Sequence, residues 1–293
     1  MPIYIVFSLL AALAFGLSSV FSKLASKHQV NNPWVLIFYS YLTFFPLVAL
    51  FPFFFEIGWP TAGWPFLFLN ALCFFLGLIF FNKALYRLDA STMAPFFQLQ
   101  AAFLAVLAFV FLKEKFPSQN YLYLMLIVIG SILVSLDERM HLKSYLRLGI
   151  LWIILQQFFH ASANLFAGFA VREMDSFTFL YWSNWIGMIF PLLLMPFIGS
   201  DKLKISLTQF KPIFLAAFFS VAGAAFQFKA FETNVTISGV LCLLTAPIVL
   251  LISIVLSRFR PEFLEHHTAR VYLVRALGVA IILIGAVKIS LGQ

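Results

Sequence analysis

Acidic residues are scarce in this chain and missing from the middle of its long apolar stretches. Aspartate and glutamate make up 11 of 293 residues, and each lies in or beside a connection between apolar segments. A proton antiporter built on a buried carboxylate would lack its central group here, and an organic cation would find nothing negative at mid-membrane. Charge of either sign is also low, at 10% of residues, against about 25% in a soluble domain. A soluble protein of this size would need far more polar surface. Only two cysteines occur, Cys73 and Cys242, both in apolar runs without a partner at metal-ligand spacing. They read as buried structural thiols.

Several motifs are absent altogether. The chain has no Walker-type phosphate loop, no His-Glu zinc motif and no Gly-x-Ser-x-Gly elbow. ATP-driven transport in cis and intramembrane hydrolysis therefore lack their parts. An enzyme is not expected, and neither is a cofactor or a metal. No basic run is long enough to follow a phosphate backbone, so the net charge of +8 is assigned to loops and not to nucleic acid.

What the chain does have is apolar length. Hydrophobic residues make up 63% of it, 39 of them phenylalanine. A helix of roughly 20 residues spans a hydrocarbon core of about 30 Å. Ten segments can supply one: 3–26, 34–55, 64–86, 92–112, 120–136, 148–171, 178–198, 210–231, 237–257 and 271–291. The first is read as a membrane helix and not as a signal peptide, because it has no basic n-region and its apolar run is too long. Backbone in lipid must satisfy its own hydrogen bonds, and no strand-like alternation suggests a barrel, so the spans are expected to be helices.

The two halves echo each other. Phe21 aligns with Phe166, and Phe45-Pro46-Leu47 with Phe190-Pro191-Leu192, at an offset of 145. Gly77 aligns with Gly223, and Lys83-Ala84 with Lys229-Ala230, at an offset of 146. After the ninth segment the offset grows to 155, where Ile129-Gly130 meets Ile284-Gly285. Single matches between apolar segments are common by chance; collinearity over a whole half is the signal. With five helices per half, the second half enters the membrane from the opposite side. The expectation is an all-α integral membrane protein of ten transmembrane helices in two inverted five-helix repeats, 1–140 and 141–293. That architecture is typical of secondary transporters with a site near the midplane. A duplicated scaffold without transport is the alternative.

Orientation follows from loop charge. With Lys23, Lys83 and Lys229 set aside as intramembrane, the loops after segments 1, 3, 5, 7 and 9 carry twelve basic residues and the other side four. The positive-inside rule then puts both termini outside.

These residues resemble the drug/metabolite transporter superfamily, in the form with two EamA-type domains. The likeness is carried by Ala84-Leu85 through Ser91, Gln98-Leu99-Gln100-Ala101-Ala102-Phe103 and Phe111-Leu112-Lys113-Glu114-Lys115. It is similar to the family's fourth-helix block, with Lys113 where the family usually has glycine. Leu244-Thr245-Ala246-Pro247-Ile248 resembles the same block in the second half, although Ser257-Arg258-Phe259-Arg260 replaces its acidic turn. The resemblance implies a multi-pass transporter of the bacterial inner membrane with cytoplasmic termini, opposite to the charge count.

Candidate site residues are the polar groups within spans, which are costly there and usually face protein or water. In the sixth segment Gln157, His160, Asn164 and Gly168 share a helical face by their spacing. The repeat matches that face to Ala12, Phe15, Ser19 and Lys23 in the first segment. Together they would line a central pathway for a small-molecule substrate. The alternative is interhelical hydrogen-bond glue. An imidazole changes charge around neutral pH, so His160 is the candidate for a protonation switch that couples transport to protons. Lys83 and Lys229 sit near the ends of equivalent segments, one at each mouth. They would bind or steer an anionic group, or else snorkel to the interface and cap carbonyls. Gln98 is a further candidate. Tyr39 and Trp185 would stack on an amphiphilic ligand, or else anchor at the membrane edge. Amides, lysines and a histidine suit neutral and acidic metabolites such as amino acids. A lipid-handling protein is the second functional reading.

Overall fold

The computed structural model describes residues 2–27, 33–85, 96, 99–113, 118–135, 148–193, 195–198, 205–245, 248–249, 252 and 269–291. Among them there is no β-strand. The helices are α1 (Ile3–Lys27), α2 (Pro33–Ala49), α3 (Trp64–Leu85), α4 (Leu99–Leu107), α5 (Ser118–Ser135), α6 (Leu148–Ala170), α7 (Ser176–Gly187), α8 (Leu207–Phe231), α9 (Val235–Leu241) and α10 (Ala269–Leu291). Among the described residues five stretches are long and apolar enough to cross a bilayer: Ile3–Ser22, Trp34–Phe53, Trp64–Phe81, Gly149–Ala170 and Leu207–Phe231. Ala102–Leu112 and Tyr121–Gly130 are shorter apolar helical stretches.

Local chemistry explains where helices depart from the apolar segments. The segment 34–55 is helical only to Ala49; a 3-10 turn at Phe51–Phe53 follows, with Pro52 in its first positions. The segment 178–198 begins earlier, because the Asp175 carboxylate accepts from the N–H groups of Phe177 and Thr178 and caps α7. It then breaks at Met188 and resumes as a short piece, Ile189–Leu192, that contains Pro191. Proline has no N–H to give to the carbonyl one turn back, and its ring crowds that carbonyl. The segment from 210 starts at Leu207, where Ser206 and Gln209 form a reciprocal capping box. α4 ends in a π-helical turn, Ala108–Leu112, closed by Lys113 at φ 56°. Lys113 is the one non-glycine residue with positive φ among the described residues, and the left-handed region favours glycine. The turn Lys113-Glu114-Lys115 is otherwise outside the described residues.

The most extensive helix contacts are α1 with α8, α3 with α6, and α5 with α10. Ring pairs show that the first two are antiparallel. Phe7 stacks with Phe226 at 6.2 Å and Phe21 with Phe219 at 5.7 Å, so α8 numbers fall as α1 numbers rise. Likewise Phe66 meets Phe169 at 5.0 Å and Phe80 meets Phe159 at 5.6 Å. The lesser contacts include α4 with α6, α1 with α9, α2 with α8 and α3 with α7. At the α5–α10 crossing, a Cβ built on Gly130 would stand 2.7 Å from the carbonyl oxygen of Gly278. Only a residue without a side chain lets those two backbones meet, as small residues do in membrane interfaces.

Candidate functional site

The polar interior is built at the α3–α6 seam. The Nε2 of Gln156 is hydrogen-bonded to Nδ1 of His160 at 3.2 Å, and the Oε1 of Gln156 accepts from Nε2 of Gln157. Which ring nitrogen of His160 carries a proton depends on its tautomer; the one that does not face Gln156 is Nε2. That Nε2 is buried and has no hydrogen-bond partner. The ring stacks on Phe74, centroids 5.3 Å apart and planes 9° apart. Its other edge fills the space left by Gly77: a Cβ there would stand 2.9 Å from Nε2.

The same packing recurs at the α1–α8 seam with another ring. A Cβ built on Gly223 would stand 2.7 Å from Cδ1 of Phe15. By the sequence offsets, Gly223 is the counterpart of Gly77 and Phe15 that of His160. A hydrogen-bond pair is shared as well. Asn70 Nδ2 donates to the carbonyl of Ala163 at 2.8 Å, and Ser18 Oγ donates to the carbonyl of Ala216 at 2.8 Å. Ala216 corresponds to Asn70 and Ala163 to Ser18, so the two seams use the same pair of positions with donor and acceptor exchanged.

Asn70 is the residue that the sequence reading passes over. Its Oδ1 also accepts from Ser183 Oγ at 2.6 Å, so one buried amide ties α3 to α6 and to α7. Its signal was a lone amide in an apolar segment, which in a membrane has to find a partner. Nearby in the chain, Asn184 Nδ2 is buried without a partner, as is the hydroxyl of Tyr41 on α2.

The residues expected to line a pathway fall into several environments. Gln157, at 1% exposure, and Asn164 are buried on α6, and His160 on the same helix is half-buried. Gly168 on the same helix faces Val235 of α9 and Leu112 at the end of α4. The α6 face therefore spans two seams, one against α3 and one against α4 and α9. Ser19 is exposed and donates to the carbonyl of Phe15 in its own helix at 2.8 Å. Lys23 lies on α1, but its side chain is outside the described residues, as is Gln98 altogether. Tyr39 is half-buried, edge-on to Phe38 at 5.7 Å. Trp185 is exposed and packs edge-on against Phe45 at 4.6 Å, away from His160's seam.

The two lysines expected at opposite mouths differ in their partners. Lys83 is exposed, with its ammonium 5.8 Å from the Phe80 ring and 5.7 Å from that of Trp152. Both are within cation–π range. Lys229 forms an ion pair with Glu232, Nζ to Oε2 2.7 Å. The other oxygen of Glu232 accepts from the N–H of Ser176 at 3.0 Å, which ties the end of α8 to the start of α7.

A bundle of long apolar helices with its amides and histidine turned into the seams defines an integral, multi-pass membrane protein. The comparisons with known proteins narrow the class. Residues 2–136 match the model of the EamA-like transporter family. No curated protein matches the chain. A solved structure described only as "Crystal structure of protein" is similar in fold over 98% of this chain and 96% of that one, with TM-score 0.74 and 12% identity.

Proposed function

We propose that the chain is a secondary transporter of small polar or amphiphilic metabolites such as amino acids, working as an exporter or exchanger by alternating access of two inverted five-helix halves, 1–140 and 141–293. The observation that carries the reading is the exchange relation between the seams. Swapping each helix for the one five places on turns α1–α8 into α6–α3, α4–α6 into α9–α1 and α2–α8 into α7–α3, all of which are contacts in the fold. The α5–α10 contact maps onto itself. At residue level, Gly77–His160 maps onto Gly223–Phe15. A fold assembled from two interchangeable halves has two related packings available, one open to each side, which is the basis of rocking in inverted-repeat carriers. The EamA-like match of the first half supports the transport class.

Within this reading His160 is the difference between the halves, an ionisable ring where the other half has phenylalanine. It is the candidate proton-coupling group. Gln157 and Asn164 are the polar surface beside it. The test is uptake of candidate amino acids into proteoliposomes with and without a pH gradient. Transport of none of them, together with no thermal shift on their addition, would sink this substrate class. His160→Phe should abolish gradient dependence if the imidazole couples protons.

The packing of His160 between Phe74 and Gly77 also fits the second reading, a non-transporting or lipid-handling protein with a dry interior. A cysteine placed at position 160 separates them. Labelling by a membrane-impermeant thiol reagent from either side supports a pathway; complete protection under all substrate and pH conditions supports the dry interior.

A further inference from the structure

Away from the α3–α6 seam, a cavity of about 540 Å³ lies between α1, α2, α7 and α8. Pockets that hold organic ligands run from about 300 to 1,000 Å³. Its wall is made by Phe7, Leu47, Phe177, Ala222 and Phe226, with the segment after α2 contributing Phe51, Phe54 and Phe55. Phe55 stacks on Phe177 with centroids 4.0 Å apart, which pins this aromatic segment to the start of α7. Phe54 is 76% exposed and Leu50 and Phe218 about half exposed, so the cavity opens sideways, where the hydrocarbon of the bilayer would lie. One polar side chain reaches it: Lys229.

We infer that this cavity takes one acyl chain of an anionic bilayer phospholipid, whose phosphate is held by the ammonium of Lys229. The ammonium has three donors, of which Glu232 Oε2 takes one at 2.7 Å. The second oxygen of Glu232 accepts from the N–H of Ser176 at the N-terminal end of α7, the end that Asp175 also caps. Lys229 therefore keeps N–H groups for an external anion at the rim of an otherwise apolar chamber. An apolar chamber alone would take any chain. The single cation at its rim selects a negative head, and a lysine ammonium is a recognised point-charge partner for phosphate. The site borders the α1–α8 seam, where Phe7 stacks on Phe226, and shares Lys229 with the candidate pathway residues but not His160, Gln157 or Asn164.

The experiment uses the full-length chain in detergent micelles with added dioleoyl phosphatidylglycerol, dioleoyl phosphatidylcholine or oleate. Phosphatidylglycerol is expected to raise the melting temperature by about 3 °C or more beyond phosphatidylcholine. Lys229→Gln should erase that difference, and Lys229→Arg should keep it. A phosphatidylglycerol analogue with a photoreactive acyl chain should label peptides containing Ala222 and Phe226, and Ala222→Trp, which fills the chamber, should lose the label. Equal stabilisation by both phospholipids overturns the inference, as does an unchanged preference in Lys229→Gln. Even labelling of all helices overturns the chamber as the chain's site. Oleate matching phosphatidylglycerol would replace the phospholipid by a fatty-acid anion and refute the committed ligand. Should Lys229→Gln fail to fold, Lys229→Arg and Ala222→Trp still decide the matter.

Discussion

Gly77 leaves the space that the imidazole of His160 fills, and with no side chain on one and a planar ring on the other, α3 and α6 close to contact. The stack on Phe74 prevents the ring from retreating. A methyl group at position 77 therefore has nowhere to go. Gly77→Ala is expected to destabilise the fold by about 1–3 kcal/mol, the usual cost of overpacking. Thermal unfolding in detergent reads this directly. In the background of His160→Ala the penalty should largely vanish; an equal penalty in both backgrounds would show that the ring is not what the methyl meets.

The α1–α8 seam shows another ring packed over a glycine. Phe15 fills the space over Gly223, the residue that the sequence offset pairs with Gly77. His160→Phe is accordingly expected to keep the melting temperature within a few degrees, since it also frees the buried Nε2 from lacking a partner. Loss of transport in a variant of unchanged stability would mark the imidazole as functional and not structural. A strongly destabilised His160→Phe would instead mean that the bond to Gln156 matters more than the ring.

Asn70 holds two hydrogen bonds, to Ala163 and Ser183, while its mirror position holds one, from Ser18 to Ala216. Interhelical hydrogen bonds in membranes contribute about 0.6–2 kcal/mol each. Asn70→Leu should thus destabilise by about 1–3 kcal/mol and Ser18→Ala by about 1 kcal/mol or less. Unfolding of the two variants and the double variant measures both effects, which should add because the seams are separate.

Lys113 adopts the left-handed conformation that closes α4, at φ 56°. A side chain there costs roughly 1–2 kcal/mol relative to glycine. Lys113→Gly should raise stability by about 1 kcal/mol, less the extra chain entropy that glycine has when unfolded. A lower melting temperature for the glycine variant would mean that the lysine side chain makes a compensating contact.

Glu232 links Lys229 to the N–H of Ser176. Glu232→Gln keeps an acceptor for that N–H but gives up the ion pair. An exposed pair contributes about 0–1 kcal/mol, and Lys229 is about a third exposed, so the expected loss is under about 1 kcal/mol. A salt titration of the melting temperature checks the attribution: the wild type should lose its advantage over the variant as ionic strength rises.

The amino-acid sequence by itself determined the helical class and the membrane setting. Apolar runs of membrane length cannot be buried any other way in a chain with so few charges, and hydrogen-bond closure in lipid leaves helices as the solution. The offset of 146 that pairs Gly77 with Gly223 is legible in the sequence, and each glycine leaves space for a ring of the facing helix, His160 and Phe15. Helix ends were less legible. They depend on local events, such as the cap by Asp175 or the break before Pro191, that an apolar window averages over. Which polar groups meet was decided only by the tertiary structure. Spacing placed Gln157, His160, Asn164 and Gly168 on one face of α6, but that face meets α3 at one level and α4 with α9 at another. Lys83 and Lys229 are paired by the sequence offset, and both ammoniums lie near aromatic rings, yet only that of Lys229 is also paired with a carboxylate, Glu232. Sequence periodicity fixes the side of a helix on which a residue points. The neighbour on that side is set by how the helices cross, and that crossing is a property of the whole bundle.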